Sequence, residues 1–273
     1  VVSLFDCTLR ARRRAPVQRL VFEMPSGFSF RPGQYVEIVH PAGTIPLSIA
    51  SAPWRLPELH LHYRSTPGVP EAAWMDELLD HGTAFTISGP SGTVLLPEPV
   101  DRPLLLVAGG TGIAQVHALL DALVRQPPTQ PVTVLWLVDQ PADLYCRAEL
   151  EALDAPWLQL HCNADSRRDA TNPGLRTLRE LAERARTAPV PPWIMLSGSP
   201  GFVHTAFRIL RAAGVAAAHV HADVFAWAPD AAGDLHAEAA GELHAEAAGE
   251  LRAEAAGELR AEAAGELRAD PPG

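Results

Sequence analysis

What this chain lacks narrows its chemistry before any motif is read. It has only three cysteines, Cys7, Cys146 and Cys162, in 273 residues. They are far apart, odd in number and without C-x-x-C spacing, which excludes a disulfide framework, a cysteine zinc site and a plant-type iron-sulfur cluster. Any electron carrier must therefore be organic. No apolar run approaches the roughly 20 residues that cross a bilayer, and no basic-then-apolar leader opens the sequence. The expected compartment is cytoplasmic, with no membrane partner. A basic surplus is missing too: the formal charge is −10, and ten acids with three arginines between Asp234 and Asp270 carry −7 of it. The nearly neutral remainder argues against a nucleic-acid partner. One basic cluster, Arg10, Arg12, Arg13 and Arg14, reads as a short loop-like stretch: a solvated strand end, or else a contact for an anionic partner.

What is present points to folded domains. Hydrophobic content of 47% and charged content of 20% are globular values, and the length has room for two modest domains plus an appendage. Residues 1–100 hold short apolar runs (Leu20 to Glu23, Tyr35 to His40, Leu47 to Ser51, Leu59 to Tyr63, Ala84 to Ser88). Breakers such as Arg31-Pro32-Gly33, Pro41-Ala42-Gly43 and Gly89-Pro90-Ser91-Gly92 separate them, the rhythm of an antiparallel barrel or sandwich. Only Glu71 to Leu79 looks helical there. From Asp101 to residue 228 apolar strands alternate with helices: Leu104 to Ala108, Ala114 to Arg125, Val132 to Val138, Ala142 to Leu153, Leu158 to Cys162, Thr177 to Thr187, Trp193 to Ser197 and Gly201 to Ala213. That rhythm predicts a parallel sheet with crossover helices. Residues 229–273 carry an acidic octapeptide repeat with leucines from Leu235 to Leu267 eight apart. Each leucine moves about 80° round a helix, so no apolar stripe forms. The expectation is an inert appendage, disordered or a fraying helix, with partner binding as the other reading.

The strand Leu104 to Ala108 runs straight into Gly109-Gly110-Thr111-Gly112-Ile113-Ala114. A glycine turn opening a helix lets backbone N–H groups and the positive helix end meet a diphosphate. It lacks the third glycine of the dinucleotide fingerprint, so a tight βα turn is the bland alternative. Asp139, just past the next strand, is placed to accept from an adenosine ribose, which favours NADH. Arg167 and Arg168 past the third strand could instead hold a 2′-phosphate. His60 with His62, and His219 with His221, alternate onto strand faces. Neither pair has an evident third ligand, so no metal is expected and exposed strand histidines explain them. Trp54, Trp74, Trp136, Trp157 and Trp193 read as core or rim.

The order of these motifs resembles the ferredoxin-NADP reductase superfamily, in particular its single-chain NAD(P)H-flavin reductases, over Val17 to Trp227. Arg31-Pro32-Gly33-Gln34-Tyr35-Val36 looks like that family's entry to the barrel, and Pro46-Leu47-Ser48-Ile49-Ala50-Ser51-Ala52-Pro53 like its flavin motif. Gly109 to Ala114 is similar to its nicotinamide-domain signature. Ser197-Gly198-Ser199-Pro200 stands where the family has a Cys-Gly-Pro-like loop, and His221 to Trp227 is similar to the last strand of free-flavin reductases.

The resemblance implies an antiparallel flavin-binding β-barrel followed by a Rossmann-like NAD(P)-binding domain, in an oxidoreductase that passes hydride from nicotinamide C4 to flavin N5. It implies that Ser48 is catalytic, hydrogen-bonding near flavin N5. Pro46, Leu47, Ile49, Ala50, His62, Tyr63, Arg64 and Trp227 would help hold the flavin (riboflavin, FMN or FAD). Gly109, Gly110, Thr111, Gly112, Ile113, Asp139, Ser197, Gly198 and Pro200 would hold NADH or NADPH. Two departures matter. Ile45 stands where the flavin motif commonly opens on arginine, and Ser197 replaces the loop's cysteine. Without that arginine, the flavin is expected to be a dissociable substrate, with Arg64 the nearest compensating cation. Alternatives are a flavin-retaining reductase serving a separate monooxygenase or ferredoxin, and a non-catalytic nucleotide-binding or interaction module.

Overall fold

The first sheet is held together by a strand that the sequence disguises. In the computed structural model, which describes residues 3–14, 16–66, 68–167 and 169–228, β1 spans Leu4–Arg13. It pairs antiparallel with β2 (Gln18–Glu23) on one side and β6 (Ala84–Ser91) on the other. Arg10, Arg12 and Arg13 are therefore strand residues rather than loop. Only Cys7 of this strand is fully buried, so its apolar alternation is faint; backbone pairing on both edges defines it. Arg12 pairs with Asp80 at 2.6 Å and donates to the Leu79 carbonyl, Arg14 also reaches Asp80, Arg10 pairs with Glu23 and Arg13 lies 4.0 Å from Glu149, which places carboxylates of this chain against all four arginines in that cluster.

The remaining strands are β3 (Tyr35–His40), β4 (Gly43–Ser48) and β5 (Glu58–Tyr63), giving the order β4-β3-β6-β1-β2-β5. A bridge from Ile49 to Leu61 joins the two outer strands and curls the sheet into a barrel. The run Leu47 to Ser51 is not a strand throughout: pairing with β3 stops at Ser48, and a short 3-10 turn, Pro53–Arg55, follows. The barrel core contains Leu20, Phe22, Ile38, Ile49, Leu61 and Ile87, with Phe22 edge-on to Phe85 at 5.0 Å. Helix α1 (Pro70–His81) turns Trp74, Met75 and Leu79 onto that core.

The second sheet contains β7 (Leu104–Gly109), β8 (Val132–Val138), β9 (Leu158–Ala164), β10 (Trp193–Ser197) and β11 (Val220–His221), all parallel, in the order β11-β10-β7-β8-β9. Every residue of β7 and of β10 is buried, as expected for strands covered on both faces. Helices α2 (Ile113–Arg125), α3 (Arg147–Glu151), α4 (Pro173–Thr187), α5 (Pro200–Ala212) and α6 (Val224–Trp227) complete the lobe. Two expectations are corrected here. Ala142 to Leu153 is a 3-10 turn, Pro141–Asp143, followed by the five-residue α3, not one continuous helix. The segment His221 to Trp227 leaves the sheet after His221 and ends as α6 rather than as a strand. The acidic repeat and Arg168 lie outside the described residues.

Helix α4 starts at a built cap. Asn172, nearly buried, accepts from Gly174 N (2.8 Å) and Leu175 N (3.1 Å) while its amide donates to the carbonyls of Asp165 and Arg167. Asn172→Ala removes the cap and leaves those carbonyls short of a donor. The expected loss is about 1–2 kcal/mol in denaturant unfolding, with the slope unchanged.

Candidate functional site

The strand order sets the site. β10 returns to pair with β7 although β8 and β9 intervene in sequence, so crossovers leave in opposite directions from the β7/β10 seam. Ligands of open parallel sheets bind at such a switch point, beyond the carboxyl ends of the strands. Here the loops at that point are Gly109–Gly112 after β7 and Ser197–Pro200 after β10. The barrel's flavin-like motif faces them: a cleft of about 260 Å³ is lined by Pro46, Leu47 and Ser48 from β4, Thr111 and Gly112, and the stretch Leu196 to Pro200. Ser48 ends β4 opposite Tyr35 of β3, which lines the same cleft.

The glycines divide their work in a way that the motif conceals. A Cβ on Gly112 would stand 2.2 Å from the Ser197 carbonyl oxygen and 2.7 Å from Gly198 N. One on Gly109 would enter the Phe202 ring at 2.5 Å. These two permit close packing of chain on chain. Gly110 alone, at φ +55°, has open space before it, with nothing within 4 Å of an added Cβ.

A second cleft of about 570 Å³ opens beside the first and shares Thr111 and Ser199 with it. Gly109, Gly110, Asp139 and Asn163 line it, as do Arg64 and Arg167. Asp143 pairs with Arg64, and Asp165 clasps Arg167 through both carboxylate oxygens. The Arg167 guanidinium and backbone N–H hold the Asp165 carboxyl down to about 2. Arg64 thus lines the second cleft, ion-paired, and not the first, which Pro46–Ser48 line. Ile45 packs against the barrel core.

Of the remaining residues singled out in the sequence, Ile113 is buried at the first position of α2, Ile49 and Tyr63 are buried in the barrel, and Ala50 is buried just past β4. Trp227 closes α6. His62 corrects an expectation: it is buried, not an exposed strand histidine, and its Nδ1 lies 2.8 Å from the Tyr145 hydroxyl. Burial, with His117, Arg19 and His60 nearby, pushes its pKa down to about 3, so the ring stays neutral.

Sequence reasoning missed a polar knot at the cleft. Gln115, almost fully buried, donates to the Gly33 carbonyl at 2.5 Å and to Asp223 at 3.1 Å. Asp223 also accepts from Thr93 N at 3.0 Å and Val94 N at 3.4 Å. Burial raises the Asp223 carboxyl above its ordinary value, and these donors only partly offset the rise. The available signal was Gln115 itself, one polar side chain among the apolar residues Ile113, Ala114, Val116 and Ala118.

Asp121 of α2 accepts from Ala52 N at 3.0 Å and forms two bonds with Arg55. Burial raises its carboxyl, but Arg55 and the Ala52 N–H outweigh that and leave its pKa below the ordinary 3.8. A depressed carboxyl stabilises the fold above its unfolded pKa and loses that contribution as pH falls through the folded value. Asp121→Asn is therefore expected to cost about 1 kcal/mol at pH 6, discounted because Arg55 is partly exposed. The difference from wild type should shrink below pH 3.8, as urea titrations at both pH values would show.

Comparison with known proteins agrees with this geometry. The family model described as an oxidoreductase NAD-binding domain matches residues 106–206. The naphthalene 1,2-dioxygenase system ferredoxin–NAD(P)+ reductase component of Pseudomonas putida is 28% identical over 212 residues, 77% of this chain and 64% of that protein. The NAD(P)H-flavin reductase of Aliivibrio fischeri is 33% identical over 143 residues, 50% of this chain and 60% of that protein. Among solved structures, the Amycolatopsis cytochrome P450 reductase GcoB superposes with a TM-score of 0.70 at 22% identity, over 81% of this chain and 69% of that one. The chain spans 64–65% of the length of the dioxygenase reductase components it matches. Barrel and parallel sheet give this chain the two-lobed fold of the ferredoxin reductases, and its sequence is similar to NAD(P)H-flavin reductases and to ferredoxin–NAD(P)+ reductase components.

Proposed function

We propose that this protein is an NAD(P)H-dependent flavin reductase that takes its flavin as a dissociable substrate. The observation that carries the reading is the single cleft onto which Pro46–Ser48 of the barrel and the loops after β7 and β10 all open. A dinucleotide fits the second lobe: Gly110 leaves open space at the mouth of α2, and the 570 Å³ cleft beside it is lined by Asp139. The organic partners supply the chemistry, hydride passing from nicotinamide C4 to flavin N5. The chain's residues bind and orient. In this reading the Ser48 hydroxyl lies near flavin N5, and the backbone from Pro46 to Ala50 meets the polar ring edge. His62, Tyr63 and Trp227 belong to the flavin side. Gly109 to Ile113, Asp139, Ser197, Gly198 and Pro200 hold the nicotinamide nucleotide.

Two observations support a borrowed flavin. Ile45 brings no cation to the motif, and Arg64 is ion-paired to Asp143 in the other cleft. Mixing the purified protein with NADH or NADPH and riboflavin or FMN should oxidise the nicotinamide; no oxidation with any pair would refute the proposal. A second reading rests on the relatives named as reductase components of dioxygenase systems. It makes this chain a flavin-retaining reductase that feeds an oxygenase or ferredoxin. A yellow preparation that keeps its flavin through gel filtration would favour it.

A further inference from the structure

The cleft is bounded by polar ties between the lobes, and these end on the backbone of the two motifs themselves. Helix α2 begins at the glycine turn and runs along the flavin-like motif. His117 Nδ1, one turn into it, lies 2.9 Å from the Ala50 carbonyl oxygen. A carbonyl only accepts, so Nδ1 carries the proton and the ring has one defined tautomer. On the other side His62, two strand residues past the His60 carbonyl that receives Ala50 N, meets Tyr145 across the lobe boundary. The Tyr145 ring packs edge-on against Trp136 at 5.5 Å, and Trp136 Nε1 donates to the Gly110 carbonyl at 2.9 Å. The flavin-like motif and the glycine turn are thus connected twice, through His117 and α2, and through His62, Tyr145 and Trp136.

We propose that His117 and Tyr145 are positioning residues that set the separation between the two motifs and so hold hydride donor and acceptor in register. This rests on the flavin-reductase reading. Apolar packing between lobes resists separation but tolerates sliding, whereas a directional bond weakens steeply off its angle. Register matters because a misplacement of about 1 Å costs a reaction on the order of 10²-fold. Burial keeps both His62 and His117 in the neutral form, their pKa values lying below the ordinary histidine value, so the ties carry no buried charge.

Tyr145→Phe deletes the hydroxyl and keeps the ring against Trp136. His117→Leu deletes the donor, and His117→Asn returns an N–H near the position of Nδ1. In single-turnover measurements, Tyr145→Phe and His117→Leu should each slow hydride transfer about tenfold, with flavin Kd and nicotinamide KM within about twofold of wild type. His117→Asn should recover most of the rate. Nitrogen-15 NMR of the apoprotein gives a readout that needs no turnover. Wild type should show His117 protonated on Nδ1 and His62 in one tautomer, and Tyr145→Phe should mix the His62 tautomers. An active wild type matched in rate by both Tyr145→Phe and His117→Leu would overturn the inference, as would mixed tautomers in wild type. A wild type inactive with every nicotinamide and flavin pair overturns the reductase reading instead, and the resonances then report the ties alone.

Discussion

Replacing Gly112 with alanine is expected to reduce turnover by at least about 100-fold. The added Cβ would stand 2.2 Å from the Ser197 oxygen, 2.4 Å from the Ser197 carbonyl carbon and 2.7 Å from Gly198 N. All three are backbone atoms, so no rotamer change can relieve the clash. Either the start of α2 or the loop after β10 must retreat by about an ångström, and both line the cleft. Overpacking of this kind costs about 1–3 kcal/mol of stability as well. The effect should therefore appear twice, as a fall in kcat/KM for NAD(P)H and as a lower urea midpoint. Gly110→Ala is the contrasting control. It meets no atom within 4 Å but holds φ at +55°, so it should cost about 1–2 kcal/mol through backbone strain without moving α2. Equal kinetics for Gly112→Ala and wild type would show that the β7/β10 seam is not where the nicotinamide nucleotide binds.

Ser48→Ala should slow hydride transfer by about 10–100-fold, equivalent to about 1.4–2.7 kcal/mol of barrier, while nicotinamide KM stays within about twofold. The expectation rests on where Ser48 stands: the last residue of β4, facing a cleft whose other walls are Thr111, Gly112 and Ser197. In the proposed reading, a hydroxyl beside the accepting ring atom acts on the transfer step, whereas the nicotinamide nucleotide would be bound chiefly from the other lobe. Rapid mixing with pre-bound flavin separates the two steps. Unchanged transfer rates would remove Ser48 from the chemistry and leave it a strand-end residue.

The Pro46–Ser48 and Gly109–Gly112 stretches were legible because each is continuous in sequence and its physics is local. Strands β8 and β10 were likewise readable to the residue, since strands buried on both faces must be continuously apolar. Strand β1 was hidden by Arg10, Arg12 and Arg13, whose alternation carries charge instead of apolar side chains. The stretch after β8 looked helical because Ala142, Leu144, Ala148 and Leu153 suit a helix. Two short turns replace the long helix there, with Cys146 and Leu150 buried and Tyr145 directed to His62. The His221 to Trp227 segment was expected to be a strand from its resemblance to the last strand of free-flavin reductases, yet the sheet ends at His221 and the chain coils into α6.

The amino-acid sequence by itself determined the two kinds of sheet, the glycine turn at the head of α2 and the loss of a cation at Ile45. Those properties depend on residues within a few positions of one another. Only the tertiary structure decided which glycine of the turn faces open space and which face Ser197 and Phe202, that Arg64 is ion-paired to Asp143, and that Gln115, His117 and Asp121 of one helix all bond to the barrel. Each of those pairings joins residues 67 or more positions apart along the chain, 67 being the separation of Ala50 and His117, and no local pattern encodes such a pairing.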